Sequence, residues 1–170
     1  MEKYLFDIEN VERRLIETLN IINSSKINNI LLTNHINQKL IFNPIFEEKK
    51  IIEENIIITA INIRMILDRF CKANRKLVFP YNTVGEFVES SKHEVLDLKE
   101  ACNKIIHCLQ YEILSEDNVL LSEIKIYGEK GNKQWHVKLD GIKYIINGLF
   151  LLKEYDEDWA LSAIKPTANN

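Results

Sequence analysis

The feature that most constrains this chain is a long stretch, residues 44–74, with no glycine and no proline after the first position. Its apolar residues recur at three- and four-residue spacing, which predicts a helix with one buried side. Asn43 and Pro44 are typical of a helix start, since asparagine caps a first turn and proline fits into it. Arg75 and Lys76 suit the negative end of the helix dipole. The stretch therefore predicts a long helix as the spine of the fold.

Helical spacing also occurs near both ends of the chain. Apolar positions over residues 6–22 predict a first helix, which residues 23–25 (Asn, Ser, Ser) are expected to end. Residues 27–42 suit either a short helix or an extended connection, and we interpret them as a short helix. A last helix is predicted from Asp140 and Gly141 through about Tyr155.

The middle of the chain combines helical and extended patterns. A short helix is predicted over residues 83–88, with Thr83 as its cap, and a longer one over residues 93–113. Residues 120–127 and 134–139 alternate between apolar and polar, with two glycines between them, which predicts a β-hairpin.

These elements predict a mainly α fold, a helical bundle of four or five helices with one antiparallel β-hairpin before the last helix. A single domain is expected over residues 1–164, followed by a disordered tail over residues 165–170. With 22 basic and 25 acidic residues, the chain has no excess of positive charge, which argues against a broad DNA-binding surface.

The cysteines, the apolar runs and the histidines each add one expectation. The three cysteines are odd in number and form no CxxC pair, which is typical of reduced thiols in a cytoplasmic protein. No apolar run approaches the roughly 20 residues of a membrane-spanning helix. The four histidines lie far apart without ligand spacing, so no metal site and no cofactor are predicted.

The best candidate for chemistry lies in the predicted helix 93–113. Asn103 and His107 are four residues apart and share one side of a helix, and Lys99 extends that line by one turn. The run from Cys102 to His107 resembles the signature of the HEPN family, in which an arginine, a polar residue, three further residues and a histidine follow one another. Asn103 and His107 take the places of the polar residue and the histidine.

The resemblance implies a helical domain that often dimerises with its motif helices face to face. It also implies, in catalytic members, a metal-independent ribonuclease, with phage defence or a toxin–antitoxin pair as its setting. In such an enzyme His107 would act as general acid or base, and Asn103 would orient it or the phosphate. Lys99 or Arg64 would supply the cation that neutralises the phosphoryl charge.

This chain departs from the family at Cys102, which stands where the family carries arginine, and no arginine follows Arg75. We therefore expect a non-catalytic HEPN-like module, a homodimer that binds a protein or RNA partner, with the ribonuclease as the alternative. A purely structural role for Asn103 and His107, as a polar seam, also fits the pattern. Arg64 and Asp68 are spaced to pair with each other or to reach His107. Cys102 itself is expected to be buried and unreactive.

Overall fold

Two helices precede two strands, a short helix, three strands and a last helix in the computed structural model, which describes residues 7–34, 44–89, 92–116 and 119–164. Within these residues the elements are α1 (Ile8–Asn34), α2 (Pro44–Lys72), β1 (Gly85–Glu89), β2 (Lys92–Leu96), α3 (Leu98–Ile106), β3 (Gln110–Glu116), β4 (Val119–Lys130), β5 (Lys133–Asp140) and α4 (Gly141–Ile164). The long helix predicted from residue 44 is confirmed, because α2 begins at Pro44 and ends at Lys72. Asn43, its predicted cap, lies outside the described residues.

The prediction of a helical bundle with one hairpin is wrong, because the five strands form one antiparallel sheet in the order β2-β1-β5-β4-β3. The fold is therefore α+β. Every other residue of the central strands is buried, as Phe87 in β1, Ile126 in β4 and Val137 in β5 illustrate. These side chains form one core with the helices, whereas their neighbours along each strand face the other side of the sheet.

The first helix is longer than the apolar pattern predicts, since α1 runs to Asn34 and includes residues 27–34. Residues 35–42 of the predicted short helix lie outside the described residues. Its serines do not end it. The Ser24 hydroxyl donates a hydrogen bond to the Ile21 carbonyl (3.2 Å) and the Ser25 hydroxyl to the Ile22 carbonyl (2.9 Å). Ser25 also accepts a bond from the Leu120 backbone N–H at 3.1 Å, so this buried serine joins the helix to the sheet.

The short helix predicted over residues 83–88 is wrong, because β1 occupies Gly85–Glu89. Phe87 is buried between Glu86 and Val88, a period of two that marks a strand. Gly85 is required at its end of the strand, since a β-carbon there would lie 2.6 Å from the Lys138 carbonyl oxygen. The strand register therefore outweighs the local resemblance to a capped helix.

The prediction of one helix over residues 93–113 is also wrong. His93 lies in β2 and Ile113 in β3, and only the nine residues of α3 are helical between them. Asp97 begins this helix by accepting a hydrogen bond from the Glu100 backbone N–H at 2.8 Å. The helix is short because the chain after it turns into the sheet, where Tyr111 pairs with Ile126 of β4.

The predicted β-hairpin is confirmed as β4 and β5, which pair from Glu123↔Asp140 to Lys130↔Lys133. Its turn contains Gly131, whose φ of 63° is a left-handed conformation that suits glycine. The last helix is likewise confirmed as α4. Among the described residues, no helix combines the length and the apolar composition needed to cross a membrane.

Gly128 faces Trp135 across the hairpin, and an added β-carbon would lie 2.0 Å from the indole ring. Gly128→Ala therefore forces the ring from its site and should lower the free energy of unfolding by about 1–3 kcal/mol, as overpacked cores do. Urea denaturation followed by circular dichroism measures this change.

Gly131→Asn is the matched control. Nothing lies within 4 Å of a β-carbon at Gly131, and asparagine tolerates a positive φ, so the expected cost is about 1 kcal/mol or less. Equal stability of Gly128→Ala and wild type would contradict the packing of Trp135 against the bare backbone at Gly128.

Candidate functional site

The residues of the predicted site lie on or beside α3, which contacts α2, α4 and the sheet. Leu98, Ala101, Cys102 and Ile105 form its buried side. This apolar side sets the rotation of the helix, so Lys99 and Asn103 lie on a partly exposed side next to α2.

Three of the four predicted site residues meet in one polar cluster between α2 and α3. Arg64 donates from Nε to an Asp68 carboxylate oxygen (3.1 Å) and from Nη1 to the Asn103 side-chain oxygen. Lys99 Nζ lies 3.3 Å from the other Asp68 oxygen, and the Asn103 amide donates to the Glu100 carboxylate at 3.3 Å. The arginine that the sequence allowed from another helix is therefore present, and it is paired with an acid.

The charges of this cluster balance locally. Hydrogen bonds from the Arg64 guanidinium, followed by those from Lys99, hold the pKa of the Asp68 carboxyl below its ordinary value, while partial desolvation opposes the shift. Arg64 and Lys99, whose side chains are 25% and 36% exposed, each bind one oxygen of the Asp68 carboxylate. The cluster fastens α3 to α2 and leaves little cationic character for a phosphoryl group.

His107, the fourth predicted residue, is separate from this cluster. It is the C-cap of α3, and its backbone N–H bonds to the Asn103 carbonyl at 3.2 Å. Its side chain is exposed, and within the described residues no hydrogen bond or ion pair links it to Arg64, Lys99 or Asn103. The helix ends at Ile106, so the shared helical side assumed for Asn103 and His107 stops before the histidine.

Cys102 is fully buried, which confirms the expected burial at the place of the family arginine. Burial raises the pKa of its thiol to about 12, and a hydrogen bond with the Tyr144 hydroxyl opposes that rise only in part. Tyr144 in turn lies 3.2 Å from the Thr59 hydroxyl, which joins α4 to α2. The position is a core contact among three helices.

Lys104 makes a contact that the sequence analysis missed. Its ammonium lies 3.9 Å from the centre of the Phe87 ring and 4.8 Å from that of the Trp135 ring, within the range of cation–π attraction. Phe87 and Trp135 are nearly buried and their rings are 5.9 Å apart. No local sequence pattern could predict this cation–π contact, because it joins three distant segments of the chain.

A second surface lies on the side of the sheet away from the core, and we name it the open sheet face. Its side chains are exposed or half-buried and form two rows across the strands: Glu112, Lys125, Lys138, Glu86 and Val95, then Gln110, Tyr127, His136, Val88 and His93. Tyr127 donates a hydrogen bond to the Glu112 carboxylate (2.6 Å), and its ring centre is 6.2 Å from that of His136. The face combines apolar, aromatic and oppositely charged groups.

One cleft of about 370 Å³ continues this face toward the start of α4, and a second of about 560 Å³ lies between α1 and α2. The first is lined by Thr83, Gly85, Glu86, Val95, Ser122, Glu123, Lys138, Leu139, Asp140 and Lys143. None of the four predicted site residues lines either cleft. The described residues also contain no group of three or more His, Cys, Asp or Glu side chains placed to hold a metal ion.

No protein-family model, curated protein or solved structure matches this chain. The resemblance to the HEPN family thus rests on the six residues from Cys102 to His107, of which only the first five are helical.

Cys102→Arg is expected to lower the free energy of unfolding by about 3–5 kcal/mol, because it buries a guanidinium without a partner. Thermal melts of wild type and variant measure the loss. Cys102→Ala, which adds no charge, is the control and should cost only about 1 kcal/mol. An unchanged midpoint for Cys102→Arg would contradict the burial of this position.

In the native protein, iodoacetamide should label exposed Cys71 and leave Cys102 unmodified until denaturant is added.

Asp68→Asn should make stability less dependent on acid pH. A carboxyl whose pKa is lowered on folding stabilises the protein above its unfolded pKa, and this contribution is lost as pH falls through the folded value. Wild type should therefore exceed Asp68→Asn in stability near pH 7, and the gap should close as the pH falls below about 4. Urea unfolding across this range measures the gap.

Glu157→Gln, which breaks the more exposed pair with Lys153, is the control and should show a smaller gap. A constant gap for Asp68→Asn would contradict the pairing with Arg64.

Proposed function

We propose that this protein is a non-catalytic binding module that engages a protein partner through its open sheet face. The observation that carries the proposal is the use of the motif residues as anchors of α3. Cys102 contacts Tyr144 in the core, Asn103 binds Arg64, and both charges next to Asn103 are bound to Asp68. Groups committed to holding a helix in place are unsuited to reacting with a substrate.

The chemistry of the open sheet face favours protein over RNA as the partner. Val95 is 70% exposed, and Tyr127 and Val88 add apolar surface near the centre of the sheet. Binding of single-stranded RNA relies on a cationic groove with stacking aromatics, whereas here Glu86 and Glu112 flank the lysines in the same row. Mixed charges around exposed apolar residues are typical of a protein interface.

Site-specific photocrosslinking tests this proposal in cells that produce the protein. A benzophenone amino acid replaces Val95 on the open sheet face or, as the matched control, Val78, which is 82% exposed between α2 and β1. We expect discrete adducts from position 95 and none from position 78, and we expect Lys138→Glu to reduce them at least about threefold.

Digestion of the adducts identifies the class of partner. Protease-sensitive, nuclease-resistant adducts support the proposal. Nuclease-sensitive adducts would show that RNA is the partner, and adducts from both positions or from neither would show that the open sheet face is not a specific binding site. Each of these last outcomes overturns the proposal.

One contact favours the ribonuclease alternative: Arg64 reaches Asn103 and so brings an arginine to the motif in place of Cys102. That alternative is tested by incubating a labelled RNA pool with wild type and His107→Ala in the presence of a chelator. We expect both proteins to leave the RNA intact. Cleavage by wild type that falls about 100- to 10,000-fold in His107→Ala would establish general acid–base catalysis instead.

A further inference from the structure

The side of α2 that faces away from the core carries an apolar stripe. Ile51, Ile61 and Met65 are 37%, 43% and 47% exposed, and Ile58 between them is half-buried. Their spacing of seven, three and four residues places them in one line along the helix. We name these four residues the α2 stripe.

The α2 stripe is unusual because α2 already has a complete buried side. Ile52, Ile56, Ile63 and Ile66 on that side are at most 2% exposed. A helix in a protein surface normally carries polar residues opposite its core side, and a second apolar line there indicates a further contact. The described residues cover this line only in part, since Ile51, Ile61 and Met65 stay between 37% and 47% exposed.

The charges of α2 are arranged in opposite blocks at the two ends of the stripe. Residues 47–54 contain four glutamates and two lysines, a net charge of −2. Residues 64–72 contain two arginines, one lysine and one aspartate, a net charge of +2, to which the Arg64–Asp68 pair beside α3 adds nothing. A second α2 laid antiparallel on the first would place each acidic block beside a basic one, whereas a parallel copy would place like charges together.

We propose that the protein forms a homodimer in which the α2 stripes of two copies pack antiparallel, with the twofold axis near Ile58. Such an interface is self-complementary, as twofold symmetry requires. Glu47 of each copy then lies within one helical turn of Lys72 of the other, and both residues are exposed in the single chain. The antiparallel helix dipoles add to the attraction.

This interface differs from the one implied by the HEPN resemblance, in which the helices that carry Asn103 and His107 would face each other. It is also independent of the open sheet face. Ile16 of α1 is 41% exposed and lines the same cleft as Ile51, so α1 extends the apolar surface. Contact along two helices lies at the small end of stable interfaces, so we expect a dissociation constant of about 1–100 µM.

Sedimentation velocity of the full chain at about 1–300 µM tests the dimer. Met65→Glu should raise the dissociation constant at least about tenfold, because a carboxylate would be buried against an apolar partner. Val78→Glu, an equally acidic change at an exposed valine outside α2, should leave dimerisation unchanged. Circular dichroism melts of each variant establish that the monomer is folded.

Charge reversal tests the orientation of the helices. Glu47→Lys and Lys72→Glu should each weaken the dimer at least about threefold, because each creates two like-charge contacts across the twofold axis. The double variant restores both contacts and should return to the affinity of wild type. A chain that stays monomeric at the highest concentration, or a dimer insensitive to Met65→Glu, would overturn the proposal. Failure of the double variant to recover would overturn the antiparallel arrangement.

Discussion

The structure depends on the anchoring of α3, a helix of nine residues that is too short to be stable alone. Its apolar side enters the core, and each neighbouring element adds one specific contact. Cys102 meets Tyr144 of α4, Asn103 meets Arg64 of α2, and Lys104 lies over aromatic rings of the sheet. These consecutive residues point to three different partners because successive side chains on a helix are rotated by about 100°. The helix thereby joins α2 and α4 to the sheet.

This anchoring is the reason why we propose a non-catalytic role for the motif. A general acid or base needs its cation and orienting group around one reacting atom. Here the cations lie with Asp68, and His107 follows the last helical residue with an exposed side chain. The surfaces that we propose for partners are elsewhere: the open sheet face, with its mixed charges, and the α2 stripe, with an acidic and a basic end.

Sequence patterns predicted those elements whose signals are local and long. The helix from Pro44, the β4–β5 hairpin and the helix from Gly141 are set by periodicity and by turn residues, which the chain carries within a few positions. The burial of Cys102 was predictable for the same reason, from the apolar residues around it. The pairing of Arg64 with Asp68 was one predicted option, whereas its contact with Asn103 was not predicted, since no spacing in the sequence joins residues 39 positions apart.

The sequence by itself determined the helices that begin at Pro44 and Gly141 and the buried side of the first, because a helix makes its backbone hydrogen bonds within its own segment. Tertiary structure decided which of the short, ambiguous segments became strands. Residues 85–89 and 110–116 extend because β5 and β4 offer backbone partners, and a strand gains its hydrogen bonds from distant residues whereas a helix makes its own. The pairing of residues 110–116 with β4 also ended α3 at Ile106 and left His107 outside the polar cluster. The sheet and the separation of the motif residues thus share one physical cause, the non-local pairing of strands.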